Sequence, residues 1–126
     1  MNDPIFATVE QALRAHERSL RQYGGSSGIR DEGLLHSAIG QPLNDYFYRR
    51  ADLFGIAAAD AFHIAQAQAF IDGHKRTAVA VALAFLEQNG VPAATETVRL
   101  YDGMIGIAER SLTKSDLAEL FRELFG

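Results

Sequence analysis

Apolar residues recur at helical spacing along most of the chain, and short polar segments rich in Gly, Ser and Asp separate them. Thr8-Val9-Glu10-Gln11 has the form of a capping box, which predicts a helix from there to about Tyr23. Gly24-Gly25-Ser26-Ser27-Gly28 then ends it as a flexible loop. Asp31 can cap a second helix that reaches about Gly40, and Pro42 to Arg50 is expected to be less regular. Asp52 can cap a third helix through about Gln68. That segment is rich in alanine and apolar on most faces, as suits a central helix.

A fourth helix is expected from about Lys75 to Asn89, with Gly90 as its stop and Pro92 beyond. Thr95 and Thr113 are candidate caps for two last helices, the second carrying Leu117, Leu120, Phe121 and Leu124 at core spacing. No alternating pattern longer than a few residues suggests strands. The expected fold is all-α: one domain over residues 1–126, a compact helical bundle around the buried helix that starts at Lys75.

Composition narrows the classes. At 126 residues the chain is long enough to bury a substantial core, and 48% hydrophobic with 22% charged residues suits a globular protein. A net charge of −4 argues against general nucleic-acid binding, which favours basic surfaces. No cysteine is present, so disulfides, thiolate chemistry and cysteine-based zinc sites are excluded. The longest apolar run, Ala78 to Leu86, is too short to span a bilayer, and no signal peptide is expected. These features together fit a cytoplasmic protein with no membrane contact.

The strongest candidate chemistry lies in Phe70-Ile71-Asp72-Gly73-His74-Lys75-Arg76-Thr77, just before that apolar run. A helix N-terminus attracts anions through its free N–H groups and macrodipole. Lys75 and Arg76 add positive charge there, Asp72 could hold Mg²⁺, and Gly73 lets the backbone approach phosphate closely. An exposed interhelical turn with solvated charges has the same composition, so on the residues alone both readings stand. Gly24 to Gly28 lacks the Gly-Lys-Ser/Thr of a P-loop and reads as a linker. His74 could contact phosphate or act as a base, and could equally be an ordinary loop histidine. His63, inside the apolar helix, points to a different face from Gln68 and reads as a core or groove histidine. Asp60 and His63 are spaced to touch but make weak evidence for a metal site. His16 and His36 read as surface or groove residues. Tyr46, Phe47 and Tyr48 suit packing over the bundle or a partner-binding edge better than base stacking.

Phe70-x-Asp72-Gly73-x-Lys75-Arg76-Thr77 resembles the signature of the Fic/Doc (Fido) proteins, commonly His-x-Phe-x-Asp-Gly-Asn-Lys-Arg in the Doc branch. Thr8 to Glu17, Tyr23-Gly24-Gly25, Gly28-Ile29-Arg30-Asp31-Glu32-Gly33-Leu34-Leu35 and Phe85-Leu86-Glu87-Gln88-Asn89-Gly90 are also similar to Doc-type sequence. The resemblance implies a Fido-type bundle and the toxin half of a toxin–antitoxin module, neutralised by a Phd-like antitoxin that lays a helical segment into a groove. It implies phosphoryl transfer from ATP to a threonine of elongation factor Tu, which halts translation. Lys75 and Val79 stand where AMP-transferring Fic proteins have Gly and a further Arg, which favours the Doc-type reaction.

Carried onto this chain, the resemblance makes Asp72 the Mg²⁺ residue and places Gly73 and Lys75 in the phosphate cradle. Arg76 would bind phosphate oxygens or brace the loop, and Phe70 would anchor it. Gln68 stands in place of the general-base histidine, and His74 in place of the asparagine that contacts phosphate. A neutral amide cannot take the proton of a substrate hydroxyl, a role worth about 10²–10⁴-fold. Three accounts follow: a decayed toxin that retains binding, a variant selected because the active form kills its producer, and an enzyme using His74 in a rearranged site.

Overall fold

The computed structural model describes residues 3–67, 69–70, 74–93 and 113–126. Five helices occupy them: α1 (Val9–Tyr23), α2 (Glu32–Arg49), α3 (Leu53–Ala67), α4 (His74–Gln88) and α5 (Lys114–Phe125). The architecture is all-α; among the described residues the nearest thing to a strand is a single antiparallel bridge between Ile29 and Phe70.

The starts of α1, α2, α3 and α5 are each fixed by a short polar side chain. Thr8 and Gln11 form the full reciprocal box, with Gln11 N–H donating to Thr8 Oγ1 at 3.1 Å and Thr8 N–H to Gln11 Oε1 at 2.9 Å. Asp31 accepts from Leu34 N–H, and Asp52 from Gly55 N–H. Thr113 and Asp116 repeat the box at α5. The Thr95 cap and the helix expected from it lie outside the described residues.

Two boundaries depart from expectation. The second helix does not stop near Gly40; it runs through Pro42 to Arg49 and ends on Arg50, whose φ of 54° is left-handed. Proline inside a helix removes one N–H and costs about 3 kcal/mol. Here Pro42 is buried in line with Leu35, Ala38 and Ile39, so tertiary packing of that stripe overrides local propensity. The fourth helix begins one residue before Lys75 and ends one before Asn89, within the ordinary play of helix ends.

Of the two apolar helices that the sequence singles out, α3 is the hub, packing against α2, α4 and α5, while α4 packs against α3 and α1. Ile56, Ala57, Ala58, Ala59, Ala61, Ile64 and Ala65 are all buried, and the small side chains let three neighbours approach. Gly55 leaves room for the chain entering α3, since a Cβ there would meet Ala51 Cβ at 3.0 Å. Among the described residues, Phe70, Phe85 and Phe121 are the largest fully buried side chains. Burial of each is worth about 1.5–3 kcal/mol.

Polar clamps then fix the outer elements. Asn89 ties the N-terminal segment to the end of α4, donating from Nδ2 to the Ile5 and Phe85 carbonyls and accepting from Ile5 N–H. Phe6 is thereby held edge-on to Tyr46, whose hydroxyl donates to Asp3 at 2.9 Å. Arg122 on α5 grips Asp52 with two bonds of 3.0 Å, Nε to Oδ2 and Nη2 to Oδ1, and also pairs with Glu119. Burial alone raises the Asp52 carboxyl, but hydrogen bonds from Arg122 and Gly55, with the Arg122 charge, hold it below the usual range. Among the described residues no helix is long and apolar enough to cross a membrane.

Candidate functional site

The motif enters from α3 along a braced backbone. The Ala69 carbonyl accepts from Arg30 N–H at 2.6 Å and from Asp31 N–H at 3.2 Å, beside the Ile29–Phe70 bridge. The residues after the Gly-rich loop thus lock onto the start of the motif. Phe70 is fully buried and stacks on His16 of α1, with ring centroids 3.9 Å apart and planes 15° from parallel. His16 is therefore a core residue, where a surface or groove position was expected. It occupies the buried stripe of α1 with Ala12 and Ser19, at spacings of four and three.

After Phe70 in sequence, α4 begins at His74. Lys75 is half-buried, Arg76 is exposed, and Thr77 is fully buried with no hydrogen-bond partner for its hydroxyl. The first turn of α4 thus presents two cations and no acidic residue. Such a donor set complements a phosphate group, for which N-terminal N–H groups and the macrodipole add further attraction. The guanidinium carbon of Arg76 lies over the Tyr23 ring, 4.5 Å from its centroid. Gln68, Asp72, Gly73 and the side chain of His74 lie outside the described residues, so the expected base position and metal residue have no described geometry.

His63 takes no part in this arrangement. Its Nε2 is 3.2 Å from Lys114 Nζ, and the same ammonium pairs with Asp45 at 2.7 Å. Burial first, then the charge of Lys114, push His63 down to about 4, against the opposing pull of Asp45. The ring is therefore a neutral acceptor for the ammonium, which agrees with a core or groove histidine. Asp60, three residues earlier, is buried with one carboxylate oxygen unpartnered, and burial raises its pKa well above the usual range. Among the described residues no group of three His, Cys, Asp or Glu could hold a metal ion.

Sequence reasoning missed the two rings of α1. Their signal was there to read: His16 and Tyr23 are seven residues apart, hence on one helical stripe. What the sequence lacks is any sign that this stripe faces the motif.

The model of the family described as "Fic/DOC family" matches residues 6–86. The chain belongs to the Fic/DOC family. The match contains α1 to α3 and most of α4, and so the whole braced motif. Among Fic/DOC relatives, the "Protein kinase doc" of Escherichia phage P1 is 32% identical over 118 residues, covering 93% of either chain. The "Toxin Doc" of Mycolicibacterium smegmatis (strain ATCC 700084 / mc(2)155) is 37% identical over 110 residues, 82% of this chain and 81% of the relative. Doc-type Fic/DOC proteins are thus the branch that this chain resembles along nearly its full length.

Proposed function

We propose that this chain is a Doc-type toxin acting in the cytoplasm, with a Mg²⁺–ATP site at Asp72, Gly73, His74, Lys75 and Arg76. Its inherited reaction is transfer of the γ-phosphoryl group to a hydroxyl of a translation factor, elongation factor Tu being the first candidate. The observation that carries the reading is the pair of cations on the first turn of α4, in a motif braced through Ala69 and Phe70, in a chain similar to a protein kinase. Lys75 and Arg76 supply charge and N–H donors for phosphate oxygens, and Arg76 can bind two of them with its planar fork. Asp72 is the residue that would hold Mg²⁺, and the bound ion would neutralise phosphate charge. Phosphoryl transfer depends chiefly on such positioning and electrostatics.

Gln68 sets the level of activity. Its amide cannot accept the proton of the attacking hydroxyl, so turnover falls by about 10²–10⁴-fold relative to a histidine at that position. The test is transfer of label from γ-labelled ATP to elongation factor Tu, by this chain and by its Gln68→His variant, with Mg²⁺ present. Transfer by the variant alone identifies a phosphotransferase lacking only its base. Equal transfer by both makes His74 the candidate base. In a parallel reaction with α-labelled ATP, transfer of label to the protein identifies AMP transfer instead.

A binding role is the second reading. Between α1 and α4 lies a groove of about 210 Å³, with buried Ala7 and Val81, half-buried Ala15 and Ala80, and the polar Gln11, Arg14 and Arg18 in its lining. Its apolar residues and two arginines suit an amphipathic helix with acidic residues, the chemistry asked of a Phd-like antitoxin segment. A chain that transfers no label in either form yet binds such a segment is a pseudoenzyme of the module.

A further inference from the structure

We propose that Tyr23 is a positioning residue for Arg76, its ring holding the guanidinium in place to bind phosphate. The proposal rests on the phosphate role given to Arg76 above and adds a residue from a different helix to that site. Tyr23 is 54% exposed at the last position of α1, so core packing does not account for its placement. Arg76 is exposed too, and among the described residues its one recorded interaction is with this ring, at 4.5 Å.

The type of contact matters. A cation over an aromatic face is held by the ring quadrupole and gives up none of its N–H donors to a competing acceptor. A carboxylate in the same place would hold Arg76 more firmly but would occupy the donors that a phosphate needs. Tyr23 thus restricts a flexible side chain while leaving its fork available, which lowers the ordering cost of binding.

The ring itself is well placed to act. Tyr23 lies within about 20° of His16 around α1, since seven residues nearly complete two helical turns. His16 stacks on Phe70 at 3.9 Å, and α1 packs directly against α4. One stripe of α1 therefore touches the motif at two places, at Phe70 before Asp72 and Gly73 in sequence and at Arg76 after them.

The experiment titrates Mg²⁺–ATP by calorimetry against the unaltered chain, Tyr23→Leu and Tyr23→Phe, each with Arg76 intact or replaced by alanine. An exposed cation–π contact predicts about two- to fivefold weaker binding for Tyr23→Leu and near-native binding for Tyr23→Phe. In the Arg76→Ala background Tyr23→Leu should change nothing further. The Arg76 Hε resonance should be shifted upfield by the ring in the unaltered chain and in Tyr23→Phe, and should lose that shift in Tyr23→Leu. Unchanged affinity in Tyr23→Leu, equal losses in the Phe and Leu variants, or a loss that persists without Arg76 would overturn the proposal while leaving the nucleotide site intact. Failure of the unaltered chain to bind nucleotide, or native affinity in Arg76→Ala, overturns the phosphate role and this proposal together. An Hε resonance indifferent to Tyr23→Leu overturns the contact itself.

Discussion

Lys114 and His63 meet across the α3–α5 contact with 3.2 Å between Nζ and Nε2, and Asp45 of α2 completes the group at 2.7 Å from the same ammonium. One cation thereby joins three helices. The arrangement requires a neutral imidazole, because a protonated ring would face the ammonium with a second positive charge.

Stability should accordingly fall in mild acid. The folded ring titrates at about 4 against an ordinary 6.5, so the unfolded chain takes up the proton first. The contribution is complete above about pH 6.5 and is lost as pH falls toward 4. Allowing for partial exposure, about 1 kcal/mol should disappear between pH 7.5 and pH 5. Urea unfolding at the two pH values measures it, and His63→Gln, which keeps an acceptor for Lys114, should lose that part of the dependence.

Asp60 gives the opposite slope. Its folded pKa is raised by burial, so its contribution is present below the ordinary carboxylate range and is lost as pH rises through the folded value. Asp60→Asn removes the ionisable group at nearly constant shape. It should stabilise the protein by about 1 kcal/mol at pH 8 and by less at pH 5. Thermal unfolding at both values decides, and equal changes at the two would refute the account.

Asn89→Ala removes all three side-chain bonds at the end of α4 and frees the Ile5 backbone. The expected cost is about 1–2 kcal/mol. Amide exchange at Ile5 should rise much more than exchange inside α4, because the loss is local to the N-terminal segment.

Arg122→Lys keeps the charge beside Asp52 but cannot reproduce the two parallel bonds. Both groups are partly exposed, which limits the loss to about 0.5–1 kcal/mol. Chemical denaturation should register it, and Asp52→Ala should cost more because Asp52 also caps α3 at Gly55.

Elements set by neighbours in sequence were the legible ones. Thr8, Asp31, Asp52 and Thr113 each cap within three residues of themselves, so their helices could be placed from spacing alone. Pro42 misled because it is buried in a helix that packs against α3, and that packing lies outside any short window of sequence. The candidate site divides the same way. The cations of α4 were plain in Lys75 and Arg76, whereas the rings that meet Phe70 and Arg76 come from α1, far off in sequence. Asn89 looked like a helix end, and its grip on Ile5 depends on a chain reversal that the pattern does not encode.

The shared acceptor at Ala69 has a consequence for how the site comes into being. Arg30 and Asp31 can reach that carbonyl only when the start of α2 has already arrived beside the end of α3, and Asp31 is also the residue that caps α2. Local helix formation can therefore begin with the motif still unassembled. A partly folded chain would keep much of its far-ultraviolet helical signal while lacking the brace at Ala69, so the proposed nucleotide binding would be a stricter assay of native assembly than helicity.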